Sequence, residues 1–233
     1  MNRFTVPIKP KGSDSSNTTA LILASIANER MKTMPPVSMM LVDSQHTVLD
    51  CQIEAIKTIY PNCDIILIVG HESQRVIESR PKNVRIVENK LYDSAGEAEE
   101  IRLGINNCIT DNILLVDGNC LFNADALQHL RGHGSCTLID KNEQMAKDSL
   151  GVISHNSKVE NIAYGVQDKW CYISYLESKE HNILKRFTAV KNRCNLCTFE
   201  CLNYVLSHNG QIYSVGQSNG FLRRIMSGKD LKV

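Results

Sequence analysis

From Thr19 onward, short apolar runs alternate with stretches in which apolar residues recur every third or fourth position. Residues 20–24, 65–69, 84–87 and 112–116 are runs of strand length and, apart from Arg85 and Asn112, apolar at successive positions rather than at alternate ones. Between them, 48–60 places Leu49, Ile53, Ile56 and Ile59 at helical spacing, and 73–80 and 96–107 predict two further helices. Asn123 is a natural cap for a helix over 124–130. Strands apolar on both faces and joined by helices predict an α/β fold: a mostly parallel sheet with helices on both faces. In such sheets ligands sit beyond the carboxyl ends of the strands. After Asp140 the pattern changes. Residues 150–154 and 159–162 flank the turn 155–158 and predict a β-hairpin insertion in the C-terminal half. A strand over 170–176, a helix over 194–208, a strand over 211–215 and a closing helix over 218–226 complete the expected order, with no internal repeat.

A chain of 233 residues fits one domain of this kind. Residues 1–17 read as a polar tail, because Pro7 and Pro10 block regular structure and the Gly12–Asn17 stretch has little to bury; the domain then spans 18–233. Lys and Arg number 26 against 25 Asp and Glu, so no global field draws the chain to nucleic acid or to a membrane surface. The sequence has no signal-peptide core and no apolar run of membrane-spanning length. Nine scattered cysteines make a poor disulfide framework and fit a reducing, cytoplasmic or otherwise intracellular setting. The polar tail suits contact with a protein partner or an assembly, a virion included.

Three clusters invite a chemical reading. Cys194, Cys197 and Cys201 with His208 have zinc-like spacing, but Cys197, Cys201 and Val205 also form one apolar stripe on the expected helix, and packing is the better expectation. His129, His133 and Cys136 fall at the end of the fourth helix without an acidic neighbour and read as a solvated helix end. Glu97, Glu99 and Glu100 open a helix where the macrodipole favours them, which reads as capping rather than acid–base chemistry. Arg223-Arg224 with Lys229 and Lys232 reads as a solvated basic face.

The order of the pieces resembles the nucleotidyltransferases of the sugar-phosphate and phosphocholine cytidylyltransferase type over roughly 19–227. Residues 20–31 resemble the first strand and its Gly-rich signature ending in Arg; 51–56 resemble the first helix, 65–70 the second strand ending in Gly, and 87–92 the Asn and Tyr after the third. Residues 114–122 resemble the metal-binding strand end, and 150–152 with 159–162 the family hairpin. The resemblance implies a nucleotide cleft at Ser25, Ile26, Ala27, Asn28, Gly96 and Gly118, metal ligands at Asp117 and Asn119, and catalytic roles for Asp117 and Arg30. Gly96 would lie against the nucleobase, and Ser38, Met39 and Met40 either line the same cleft or pack.

Several positions depart from the family pattern. Ile26 and Asn28 stand where the resemblance expects loop glycines, Val37 follows Pro36 where it expects a Lys, and Asn119 stands where it expects a metal carboxylate. Matching the late Ile-Asp or Val-Asp pair to Val215-Gly216 removes the second carboxylate as well. Backbone amides could still approach a phosphate, but nothing would offset charge at the reacting phosphorus. The expected function is therefore a nucleotidyltransferase-like protein that has lost or nearly lost catalysis and keeps the fold for binding or assembly, with no cofactor. Two alternatives stand beside it: an active Mg²⁺-dependent enzyme joining an NTP to a sugar phosphate or choline phosphate through a shifted Asp117, and a structural subunit of a larger assembly.

Overall fold

The computed structural model describes residues 15–25, 35–79, 82–142, 146–217 and 220–231. The apolar runs become the centre of a nine-stranded sheet. β1 (Thr18–Ala24) lies between β2 (Asp64–Val69) and β4 (Asn112–Asp117), and β3 (Arg85–Glu88) flanks β2, all four parallel. The runs of β1, β2 and β4 are continuous because each of these strands is buried on both faces, whereas β3 is a partly exposed edge strand interrupted by Arg85. Ala20 and Ile22 of β1, Ile65 and Leu67 of β2 and Leu114 and Val116 of β4 face one core; Leu21, Leu23, Ile66, Ile68, Ile113 and Leu115 face the other. Helices α1 (Val48–Ile59), α2 (Ser73–Ser79) and α4 (Ala124–Gln128) cover the first face. The second is covered by α3 (Glu97–Asn106), α5 (Ser178–Thr188) and α6 (Thr198–Ser207).

Local chemistry fixes the helix starts. Thr47 and Asp50 form a reciprocal capping box at α1, with Thr47 Oγ1 accepting from Asp50 N–H and Asp50 Oδ2 accepting from Thr47 N–H. The Asn123 side chain caps α4, as its sequence position predicts.

The parallel arrangement ends at β4. β9 (Asp168–Leu176) runs antiparallel to both β4 and β6 (Cys136–Asp140), and β10 (Tyr213–Gly216) runs parallel to β6. The expected hairpin is β7 (Leu150–His155) with β8 (Lys158–Tyr164), which completes the order β3-β2-β1-β4-β9-β6-β10-β8-β7. The second half of the sheet is thus mixed rather than parallel.

Four sequence expectations need correction. Residues 218–226 do not form a closing helix: Leu222–Arg224 is a strand, β11, paired antiparallel with β5 (Cys120–Phe122) in a small second sheet. The helix expected over 194–208 begins only at Thr198, so Cys194 lies outside it and Cys197 is an exposed N-cap, while Cys201 and Val205 are buried. Cys136 is a buried residue of β6, not a helix end, and its Sγ–H donates to Leu130 O. Ser15–Asn17, assigned to the tail, form a short 3₁₀ turn in which Asn17 and Asp111 exchange hydrogen bonds. Among the described residues no cluster of three His, Cys, Asp or Glu is arranged to hold a metal ion, and no helix is long and apolar enough to cross a membrane.

Candidate ligand-binding cleft

Beyond the carboxyl ends of β1 and β4 lies a cavity of about 220 Å³. Asp117, Asn119, Glu97, Glu100, Trp170 and Arg224 are among its lining residues. A second, larger cavity of about 760 Å³ shares Trp170, Tyr172, Arg224 and Met226 with the first and continues past Lys169 and Gln217.

The β4 turn is built tightly. Gly118 N–H donates to Leu23 O at 2.8 Å, and a Cβ at Gly118 would come within 2.6 Å of both Ala24 Cβ and Leu23 O. Gln52, fully buried on α1, extends Nε2 to the carbonyls of Asp117, Gly118 and Cys120 at 3.3, 3.3 and 2.6 Å. Asp117 is thereby presented to the cavity, but its oxygens are engaged. Oδ1 accepts from Asn119 N–H at 2.8 Å and Oδ2 from Arg224 Nε at 2.8 Å. The guanidinium carbon also stands 4.0 Å from the centre of the Tyr172 ring. Burial works against the Arg224 charge, yet Asp117 outweighs it and holds the guanidinium pKa above its ordinary value. Tyr172 reaches this position because β9 carries an irregularity opposite β6, where Tyr172 adopts a φ of 57°.

The residues expected to cradle a nucleotide meet different fates. Ile26, Ala27, Asn28 and Arg30 lie outside the described residues. Ser25 is buried, and its N–H donates to Glu100 Oε1 at 2.6 Å; its Oγ accepts from Asn89 Nδ2 at 3.0 Å. The first amide after β1 therefore points at a carboxyl group. Gly96 does not face open space: its N–H donates to Cys194 O, and a Cβ there would meet the Asn195 backbone at 2.7 Å. Val37 and Met40 are buried in a satellite core with Val48, Leu121 and Ile225, and Met39 packs against the main core, so this segment packs rather than lining the cavity.

Sequence reasoning missed the opposite wall. Glu97 and Glu100 stand at the start of α3, as the capping reading expects, but both also line the cavity. Burial raises both, Glu100 to about 8, and each accepts a backbone amide, Glu97 from Thr198 and Glu100 from Ser25. Their i, i+3 spacing beside the inward stripe of Ala98, Ile101 and Ile105 was the available signal. Arg224 is likewise part of the cavity rather than a surface charge. The late segment that reaches the β4 turn is Arg224-Ile225-Met226, with Ile225 N–H donating to Asn119 O at 2.8 Å; Gly216, at the end of β10, does not line this cavity. Met226 lines the cavity beside Asp117 and Asn119.

These residues do not fit the Mg²⁺ ion that the resemblance implies. A hard cation needs free oxygen ligands, whereas Asp117 holds Arg224 and an amide, Glu97 and Glu100 each hold an amide, and the described residues contain no cluster of three His, Cys, Asp or Glu arranged around a common point.

No family model matches the sequence, and comparison with curated proteins finds no match. Solved structures do match. The inositol-1-phosphate CTP transferase from T. maritima superposes with a TM-score of 0.75 at 13% identity, over 92% of this chain and 91% of that one. The CTP:phosphocholine cytidylyltransferase LicC from Streptococcus pneumoniae gives 0.72 at 16% identity, over 92% and 96%. A nucleoside-diphosphate-sugar pyrophosphorylase from Vibrio cholerae gives 0.68 at 12% identity, over 91% and 97%. Across nearly the whole of each chain the path of the backbone is shared while the side chains are not: this protein has the nucleotidyltransferase fold.

Proposed function

We propose that this protein is a non-catalytic member of the nucleotidyltransferase fold, in which the cleft is kept for binding and the domain for assembly. The observation that carries the reading is the Asp117–Arg224 pair: the carboxylate at the end of β4 is held by the chain's own cation at 2.8 Å. A metal bridging Asp117 to a triphosphate would have to displace a partly buried guanidinium from its counter-charge. Ser25 N–H, engaged with Glu100, adds to this, because it withdraws a backbone donor from the loop that would approach phosphates. The polar segment 1–14 is the candidate contact for a protein partner.

The test is pyrophosphate release from each common NTP, with Mg²⁺ and a panel of sugar phosphates and choline phosphate. We expect none above the rate without protein. Release that disappears on Asp117→Ala would overturn the reading and establish an active transferase.

A further inference from the structure

A third cavity, of about 400 Å³, lies between α1 and the segment that carries β5 into α4, and it shares no lining residue with the cavity at Asp117. Its walls are apolar: Val42, Ala55, Leu121, Phe122 and Phe221 line it, and Phe221 is exposed at its rim. Apolar surface of this kind is favoured to be covered rather than left to water. Among the described lining residues Glu54 alone is charged. Its carbonyl accepts from Thr58 Oγ1, while its carboxylate has no hydrogen bond or ion pair among the described residues. The surroundings are acidic as well. The half-buried Cys51 thiol is raised by burial first and then by Asp43, Asp50 and Glu54, so all three carboxylates act at the groove, and Asp125 opens the adjoining α4. The cations nearby are occupied. His46 pairs with Asp43, Lys57 Nζ donates to Cys63 O, and Arg223 donates from Nη1 to Asp230 O while standing 5.6 Å from the centre of the Phe221 ring. The groove therefore suits an apolar occupant flanked by positive charge.

Residues 1–14, outside the described residues, have that composition. Phe4, Val6 and Ile8 alternate, so an extended chain carries them on one side, and Pro7 and Pro10 bias the residues before them toward extended backbone. Arg3, Lys9 and Lys11 flank them, and no acidic residue precedes Asp14. The dimensions agree. Cys51 to Thr58 spans about 10 Å along α1, and Phe4 to Ile8 spans about 13 Å in an extended chain. The Thr58 end of the groove also lies toward the end of the sheet at which the described chain begins, because α1 leads into β2, whose Asp64 pairs with Thr19. From Ser15 back to Phe4 the chain reaches about 36–40 Å when extended. We infer that residues 3–9 cover this groove on the same molecule, with Phe4 against the apolar wall and Arg3 and Lys9 among the carboxylates of the rim. This goes beyond the proposed function: a partner that takes the segment 1–14 has to draw it from the groove.

Cys51 lines the groove and reads its cover directly. Its alkylation by N-ethylmaleimide should be followed by mass spectrometry of the digested protein, with the exposed Cys197 as reference. We expect Cys51 of the full chain to react at least about fivefold more slowly than in Phe4→Ser, which withdraws one large apolar side chain from the groove, while Cys197 reacts equally in both. A labelled peptide of residues 1–11 should bind Phe4→Ser saturably. Adding Glu54→Lys, a change at an exposed helix position, should weaken that binding at least about threefold by reversing the charge at the rim. Equal rates at Cys51, no binding of the peptide, or an unchanged Kd with Glu54→Lys would each overturn the inference. Protection that grows with protein concentration, with a dimer in light scattering, would put a second copy's segment in the groove and overturn the assignment to the same molecule. None of these measurements reads pyrophosphate release, so the proposed function and this inference fail separately.

Discussion

Replacing Glu100 with Gln should remove most of a pH dependence of stability that the native protein carries between pH 6 and 8. Glu100 is buried at the start of α3, and its Oε1 accepts from Ser25 N–H. Burial raises its pKa from the ordinary 4.5 to about 8, against the opposing effect of the Ser25 bond. Between these two values the folded protein holds a proton that the unfolded chain has released, so stability falls as pH rises. A proton retained only in the folded state is worth about 1.4 kcal/mol per pH unit. The slope flattens as the folded group itself titrates near pH 8, so the loss from pH 6 to 8 is about 2 kcal/mol. Glu97, also raised by burial, acts in the same direction and is present in both proteins. Gln keeps an oxygen for Ser25 N–H and mimics the protonated acid. Urea denaturation of both proteins at pH 6 and 8 provides the comparison, since groups common to both cancel. We expect the native protein to lose about 2 kcal/mol more than Glu100→Gln across this interval. Equal losses would show that Glu100 is ionised in the fold, and the account of the cavity wall given above would be wrong.

Two further substitutions address the β4 turn. Gln52→Leu removes the donor shared by the Asp117, Gly118 and Cys120 carbonyls and should cost about 1–3 kcal/mol in chemical denaturation; an unchanged midpoint would mean that water replaces the amide at no cost. Gly118→Ala places a methyl group 2.6 Å from the Leu23 carbonyl and should lower stability by about 1–3 kcal/mol. A melting temperature equal to that of the native protein would refute the close approach of the two strand ends.

The first half of the fold was legible because its strands are buried on both faces. Residues 20–24, 65–69 and, apart from Asn112, 112–116 are apolar at successive positions, and each became a strand within a residue or two of its expected ends. The C-terminal segment was misread for a physical reason. Phe221 and Ile225 lie four apart and mimic a helical face, while the pairing that makes Leu222–Arg224 a strand is to Cys120–Phe122, about a hundred residues earlier in the chain. The helix α5 was readable but unread: Ile183, Leu184 and Phe187 stand at helical spacing among Lys, Glu, His, Asn and Arg, and only contact with the sheet shows which side is inward. In the cleft, Asp117 and Asn119 were pointed to by the family resemblance, and both line the cavity. Arg224 could not, because a basic residue near a chain's C-terminal end is a surface charge until its partner is known. The helix expected over 218–226 likewise left no later strand to bring Arg224 and Met226 to the cavity.

The pairing of β11 with β5 also bears on the order in which the molecule is made. Every strand of the large sheet precedes Leu222 in sequence, so the growing chain carries all of them before Arg224 is added. Until then Asp117 faces the cavity without its guanidinium partner and Tyr172 without the cation above its ring. The nascent domain is thus acquired as a scaffold first and as a cleft last. A chain truncated between Gly216 and Leu222 would retain every strand of the large sheet and lack the guanidinium that neutralises Asp117.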